Sequence, residues 1–425
     1  MRNKNTENIY GQIDLLNPYS KTVLPEGLTV VSEQVSNSPY FALGFCIKSG
    51  SSSDVTGLEG TAHFVEHIAF RRTLHYTGKR LVTEFESMGA YVNAYTTKEM
   101  ICFYVLALNS KLQKCLNLLS EVVLYPNIKA SHVQKERNII LEEISSYEDD
   151  PEELIFDYGE QILFRNSSFE HPIVGYSESV KKIEESNLMD FHSVNFVADN
   201  IILAYSGPAY HQEILEMVSQ FSFPVAENGQ RKKVELPRSR KVQTRIIEKK
   251  FQQDHILFII KTKGLSFKHR YIYAIINNII GEGLSSRLNQ SIREKFGYVY
   301  SVYSTLALMR DFGTMGIYAA ADFSNTQRVE DLIINELGKI VNEGFTDKEI
   351  KSAKEQIKSS TIIGLDGVSA KMQSLARIEA VDGEYETIND TIRMIDEIRT
   401  EDIDTIIEKH LAPNKWSEVL FQSKA

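Results

Sequence analysis

An α+β architecture, with two structurally similar domains that each pack a mainly antiparallel sheet against helices, follows from three features of this sequence. Segments rich in β-branched and aromatic residues come in adjacent pairs joined by short turns, the mark of hairpins and so of antiparallel pairing. Segments with a 3.6-residue apolar period follow them, the mark of helices that bury one face. The same order of both kinds then occurs a second time.

The first half opens with the strand YFALGFCIKSG, read as alternating, and a helix carrying HFVEH. A second helix, RLVTEFESMG, leads into the hairpin AYVNAYTTKEMICFYVLAL, and the helices SKLQKCLNLLSEVVL and ASHVQKERNIILEEIS follow. The second half repeats the plan with the strand DHILFIIKTKG, the helices YIYAIINNIIGEG and SSRLNQSIREKFG, and the hairpin YVYSVYSTLALMRDFGTMGIYAAA. Helices TQRVEDLIINELGKIVNEG and DKEIKSAKEQIKSS come next, and the closing segments FVADNIILAYSG and LAPNKWSEVLFQ correspond. From Phe221 to Gln243 the chain has two prolines, an Asn-Gly and the basic cluster Arg231, Lys232 and Lys233, with no apolar period. That stretch reads as a linker. The expected division is 1–221, a linker at 222–242, and 243–425, because 425 residues exceed one ordinary core.

Hydrophobic residues at 42% and charged residues at 24% fit a globular protein. A net charge of -10 argues against nucleic acid as the main partner, and the basic cluster has no interleaved aromatics for stacking bases. No stretch of 18 apolar residues occurs, so no membrane partner is expected, and the N-terminus lacks a run of signal-peptide length. Cys46, Cys102 and Cys115 are odd in number, lack C-x-x-C spacing and sit in apolar surroundings. Buried reduced thiols and a cytoplasmic setting are therefore expected. Gly281 and Gly283 complete no phosphate-loop pattern and read as a helix boundary. EDDPEE reads as a solvated turn ending the glutamate-bearing helix.

The chemistry concentrates in HFVEH. His63, Glu66 and His67 stand at i, i+3 and i+4, so one helix face presents all three. Two imidazoles one turn apart can chelate a zinc ion, and the carboxylate between them can act as general base toward water. A chance H-x-x-E-H in a chain of this length has odds on the order of one per cent. This order of residues is that of the inverted zincins. Hydrolytic zinc also needs a third protein ligand and one open position. The helix ERNIILEEI offers Glu136 and Glu143, two turns apart beside Ile140 and Ile144. A carboxylate there is costly to bury unless it meets a cation or metal. Glu142 points about 100° away and reads as solvated. These residues alone do not choose between Glu136 and Glu143.

The stretches GLEGTAHFVEHIAF, MGAYVNAYTTKE, EEISSYEDDPEE, HPIVGYSESV, GEGLSSRL and REKFGYVYSVY carry a wider likeness. From about Gly27 to Phe421 the chain resembles the pitrilysin, insulin-degrading enzyme and mitochondrial processing peptidase family, most like its short two-domain bacterial branch. The resemblance implies a third metal ligand 76 positions after the second histidine; 143 − 67 = 76, which selects Glu143. It implies that Glu136, seven residues earlier, supports the site from behind the ligands. Asn93 and Ala94 match the edge-strand Asn-Ala of the family, which implies binding of an extended substrate by strand addition. Arg293 and Tyr300 match a pair that holds substrate near the scissile bond. The second half has no H-x-x-E-H, and Ser360 stands where the repeat would place Glu143. One departure is FRRT after the HFVEH helix, where the family often has lysine-glycine-threonine.

The resemblance implies a zinc metalloendopeptidase with one zinc per chain and Glu66 as general base, acting on unfolded or presequence-like peptides inside a closed chamber. Long relatives build that chamber from four such domains, so a homodimer is implied, with a heterodimer of related subunits as the alternative. The rival reading is a non-catalytic assembly subunit or peptide-binding scaffold; the complete set His63, Glu66, His67 and Glu143 counts against it.

Overall fold

The computed structural model describes residues 18–226, 234–238, 241–267, 270–381 and 384–423. Arg231, Lys232 and Lys233 of the expected linker lie outside them. The chain divides into two compact units: the first takes the described residues of Met1–Ser145, His171–Glu235 and Ile362–Asn389, the second those of Ser146–Glu170, Leu236–Thr361 and Asp390–Ala425.

The first unit contains β1 (Tyr19–Val23), β2 (Thr29–Gln34), β3 (Tyr40–Ile47), β4 (Tyr91–Thr96), β5 (Ile101–Leu108) and β6 (Ile201–Gly207), in the sheet order β1-β2-β6-β3-β5-β4. All neighbours are antiparallel except β2 and β6. The second unit contains β7 (Thr244–Lys249), β8 (Asp254–Lys263), β9 (Val299–Leu308), β10 (Phe312–Ala321) and β11 (Ser417–Ser423), in the order β7-β11-β8-β10-β9. Here too one pair among the described strands is parallel, β7 with the closing strand β11, as β2 pairs with the closing strand β6 in the first unit. Apart from the added β1, the two orders are the same topology used twice. The α+β expectation and the repeat both hold.

Helices cover both faces of each sheet, which differs from the one-sided packing that alternation in YFALGFCI suggests. In the first unit Phe41, Leu43, Phe45, Phe103 and Leu203 face the helices Thr61–Ala69, Gly78–Ser87, Leu112–Leu124 and Ala130–Glu148. On the opposite face Val31, Ala42, Cys46, Ile202 and Ala204 meet Val368, Met372, Leu375 and Ala376 of the helix Val368–Val381. Every residue of β3 from Phe41 to Ile47 is buried, as expected of a strand with no solvent face. In the second unit the helix Pro151–Phe164 lies on β8 and β11. It approaches so closely at Gly159 that a Cβ there would stand 2.8 Å from Leu257 Cδ2.

These two covering helices explain why the units depart from a simple cut at 221 and 243. Residues 146–170 come from the first half of the chain but belong to the second unit, and 362–389 do the reverse. EDDPEE is correspondingly the start of a helix and not only a turn: Asp150 accepts hydrogen bonds from the N–H groups of Glu152 and Glu153, with Pro151 in the first turn.

All three cysteines are buried, as expected. Cys46 and Cys102 are register partners on β3 and β5 with Cα atoms 4.1 Å apart, which sets their sulfur atoms side by side. Their separation of 56 residues hides that pairing from any local spacing rule. Cys115 is a buried free thiol, and burial raises its pKa to about 11. Among the described residues no helix is long and apolar enough to cross a membrane.

Candidate metal centre

The histidine helix Thr61–Ala69 is fixed at its N-terminus before any metal enters the argument. Gly60 has φ 96°, and a Cβ on it would lie 2.6 Å from the Val174 carbonyl oxygen, so both backbone conformation and space call for glycine. Asp54 caps the helix, its two carboxylate oxygens accepting from Gly60 N at 2.7 Å and Ala62 N at 2.8 Å. Ala62, Phe64, Val65 and Ile68 anchor the helix in the core, which turns Glu66 and His67 to its half-buried side.

The glutamate helix Ala130–Glu148 buries Val133, Glu136, Ile140 and Ile144, one stripe at three- and four-residue spacing. Glu136 is 2% exposed, whereas the Glu143 side chain is 43% exposed and faces the histidines. Burial therefore separates the two glutamates that the sequence left level.

His63 Nε2 lies 3.7 Å from Glu143 Oε1, and His67 Nε2 lies 3.6 Å from Glu143 Oε2. These gaps exceed ordinary hydrogen bonds, which cluster near ~2.7–3.2 Å. They are close to the ~3.3 Å edge of a tetrahedron whose centre is bonded at about 2.0–2.1 Å. One ligand atom from each of His63, His67 and Glu143 lies within 4.8 Å of the others. Burial, and then the charge of His67, push the His63 pKa down to about 3, so its ring is neutral and keeps a lone pair to offer. A neutral nitrogen, a second imidazole and a carboxylate fit a zinc ion with an open position.

Around that set stand three supporting contacts. His67 Nδ1 makes a long hydrogen bond of 3.4 Å to Glu136 Oε2, which leaves Nε2 on the side of Glu143. Burial tends to lower the His67 pKa, but the Glu136 hydrogen bond and the charges of Glu143, Glu66 and Glu136 outweigh it and raise it. Thr96, the last residue of β4, donates its hydroxyl to Glu66 Oε2 at 2.5 Å. Burial raises the Glu66 pKa, while Thr96 and His67 pull against it. Arg71, just past the histidine helix, pairs through Nε with Glu136 Oε1. Neither the Thr96 nor the Arg71 contact was anticipated; the only signals were their positions in NAYT and in FRRT.

Asn93 and Ala94 lie on β4 at the edge of the sheet, opposite Tyr104 and Phe103 of β5. The Ala94 N–H donates to the Asn93 Oδ1 at 2.8 Å, which caps an edge amide. Arg293 and Tyr300 belong to the second unit, Arg293 on a π-helical stretch Asn289–Glu294 and Tyr300 on the edge strand β9. Both are exposed, Tyr300 at 81%. Ser360 is exposed on the helix Asp347–Gly364.

Comparison with known proteins places the chain in a lineage. Residues 29–176 match the model of Insulinase (Peptidase family M16), and 182–357 match that of the Peptidase M16 inactive domain. An uncharacterised zinc protease of Mycobacterium leprae is 30% identical over 404 residues, 94% of this chain and 91% of the relative. One from Bacillus subtilis, also named an uncharacterised zinc protease, is 27% identical over 88% of this chain and 91% of its own length. The crystal structure of a protease from Helicobacter pylori superposes with a TM-score of 0.88 at 18% identity, covering 96% of this chain and all of that one, a likeness of fold. The chain belongs to the insulinase family, peptidase family M16.

Proposed function

We propose that the protein is a zinc metalloendopeptidase that cuts unfolded peptides, working as a homodimer that encloses its substrate. The observation that carries the reading is the convergence of His63 Nε2, His67 Nε2 and the Glu143 carboxylate at 3.6–3.7 Å, with Glu66 one turn after His63 and directly before His67. Zinc, when bound, supplies Lewis acidity, which makes water a stronger acid and polarises a carbonyl. The chain's own residues do the rest. Glu66, whose Oε2 is held by Thr96, takes a proton from water onto its carboxylate and returns it to the leaving amine. The edge of β4 offers backbone groups to an extended peptide, which competes with Asn93 Oδ1 for the Ala94 N–H. Arg293 and Tyr300 supply a fixed cation and a hydroxyl to substrate carbonyls.

The test is cleavage of a quenched fluorescent peptide together with metal analysis. About one zinc per chain is expected, with activity lost to a chelator and restored by zinc. Glu66→Gln should keep its zinc and lose at least ~100-fold in kcat, because only the proton acceptor changes. Glu143→Gln should retain zinc poorly. Unfolded peptides should be cut and a stably folded domain spared. Normal turnover by Glu66→Gln would refute the general-base role. A wild-type chain that binds no zinc would favour the non-catalytic subunit.

A further inference from the structure

Arg71, the first arginine of FRRT, lies against Glu136 behind the histidine helix. Glu136 is a carboxylate at 2% exposure within an apolar stripe, a placement that is costly without a cation beside it. Its two oxygens are divided: Oε2 faces His67 Nδ1, and Oε1 meets Arg71 Nε. For His67 to offer Nε2 to a metal, its one ring proton must sit on Nδ1, and the ring is then neutral. The full positive charge next to Glu136 is in that case the Arg71 guanidinium.

Arg71 is also held in place by its own backbone. Its N–H donates to the Ile68 carbonyl at 3.0 Å, and its carbonyl accepts from Gly78 N at 3.0 Å. A Cβ on Gly78 would lie 2.5 Å from that carbonyl oxygen, so glycine is what permits the approach. Among the described residues His63 Nδ1 has no hydrogen-bond partner, so the ring fixed by a carboxylate behind it is that of His67.

We propose that Arg71 is a positioning residue for the metal centre, holding one oxygen of Glu136 so that the other stays on His67 Nδ1 and keeps Nε2 turned toward Glu143. A carboxylate tethered at one oxygen cannot rotate its other oxygen away, whereas an untethered one can. Arg71 then acts on the metal only through Glu136 and His67. The proposal rests on the reading of His63, His67 and Glu143 as the metal-binding set.

Zinc affinity measured by competition with a chromophoric chelator tests it without reference to turnover. Wild type and Glu143→Gln come first: if wild type bound no zinc, or Glu143→Gln bound it equally well, the metal set itself would fall. Given a sound metal set, Arg71→Met should weaken zinc binding about 10- to 100-fold, as loss of an outer partner does. Arg71→Lys, which restores a donor and a charge, should recover to within about threefold. The double variant Arg71→Met, Glu136→Gln should bind no more weakly than Glu136→Gln alone, because the two act in series. Wild-type zinc affinity in a folded Arg71→Met chain, or additive losses in the double variant, would overturn the proposal. If Arg71→Met fails to fold, Arg71→Gln carries the same comparison: weakened binding supports the role and unchanged binding refutes it.

Discussion

Thr96 holds Glu66, the proposed general base, from outside the helix that carries it. Its hydroxyl reaches Glu66 from the end of β4, thirty positions away along the chain. A hydrogen bond to a charged group contributes about 1.5–3 kcal/mol, roughly 10- to 100-fold in a rate that depends on it. Thr96→Val should therefore lower kcat by at least ~10-fold with KM within about twofold, while Thr96→Ser restores most of the rate. Steady-state kinetics on zinc-loaded protein decides it: a KM effect alone would place Thr96 in substrate binding instead. The histidines and Glu66 were legible in the sequence because a helix fixes i, i+3 and i+4 without any tertiary knowledge. Glu143 needed the family count of 76, since the glutamate stripe also holds Glu136. Thr96 and Arg71 were not legible, because each contact joins segments far apart in the chain that only the folded unit brings together.

Helices and strands show the same divide. The helix Asp347–Gly364 begins with a capping box readable from T-D-K-E: Thr346 Oγ1 accepts from Glu349 N, and Glu349 Oε2 accepts from Thr346 N at 2.8 Å. What the pattern does not show is Arg287, 62 residues earlier, whose Nε and Nη2 donate to both oxygens of Glu349 at 2.7 and 2.9 Å. The Arg287 hydrogen bond is the largest cause holding the Glu349 pKa at about 2, against an ordinary 4.5. A carboxylate depressed on folding stabilises above its unfolded pKa, and the gain is lost as pH falls from about 4.5 toward 2. Glu349→Gln should therefore destabilise by about 1–3 kcal/mol at pH 7, with allowance for a side chain 30% exposed. Its deficit should shrink below pH 4.5 and vanish near pH 2. Denaturant unfolding at several pH values measures this, and a pH-independent deficit would show that packing, not charge, is at stake. The covering helices Pro151–Phe164 and Val368–Val381 were harder to place, because an apolar helix face does not say which sheet it will cover. Read as alternating, YFALGFCI implied a single covered face, whereas the burial of every residue from Phe41 to Ile47 shows cover on both.

The chain repeats one sheet topology but places its chemistry unequally: HFVEH and the glutamate helix fall in the first unit, Arg293 and Tyr300 in the second. Long relatives of the resembled family carry four such domains, with the metal motif in the first and the Arg-Tyr pair in the last. A homodimer of this chain would restore the count of four, and by that analogy we propose that Arg293 and Tyr300 serve the metal site of the opposite protomer. Mixing tests this directly. Glu66→Gln and Arg293→Ala chains should each be nearly inactive alone. A mixed dimer then holds one intact site, made from the HFVEH helix of the Arg293→Ala chain and the Arg-Tyr pair of the Glu66→Gln chain. Random exchange makes about half the dimers mixed, each with one good site of two, so activity should recover to roughly a quarter of wild type. If the pair serves its own chain, no mixed dimer contains an intact site. Subunit exchange followed with two affinity tags fixes the mixed fraction, and an exchanged population without recovered cleavage would exclude the arrangement in trans.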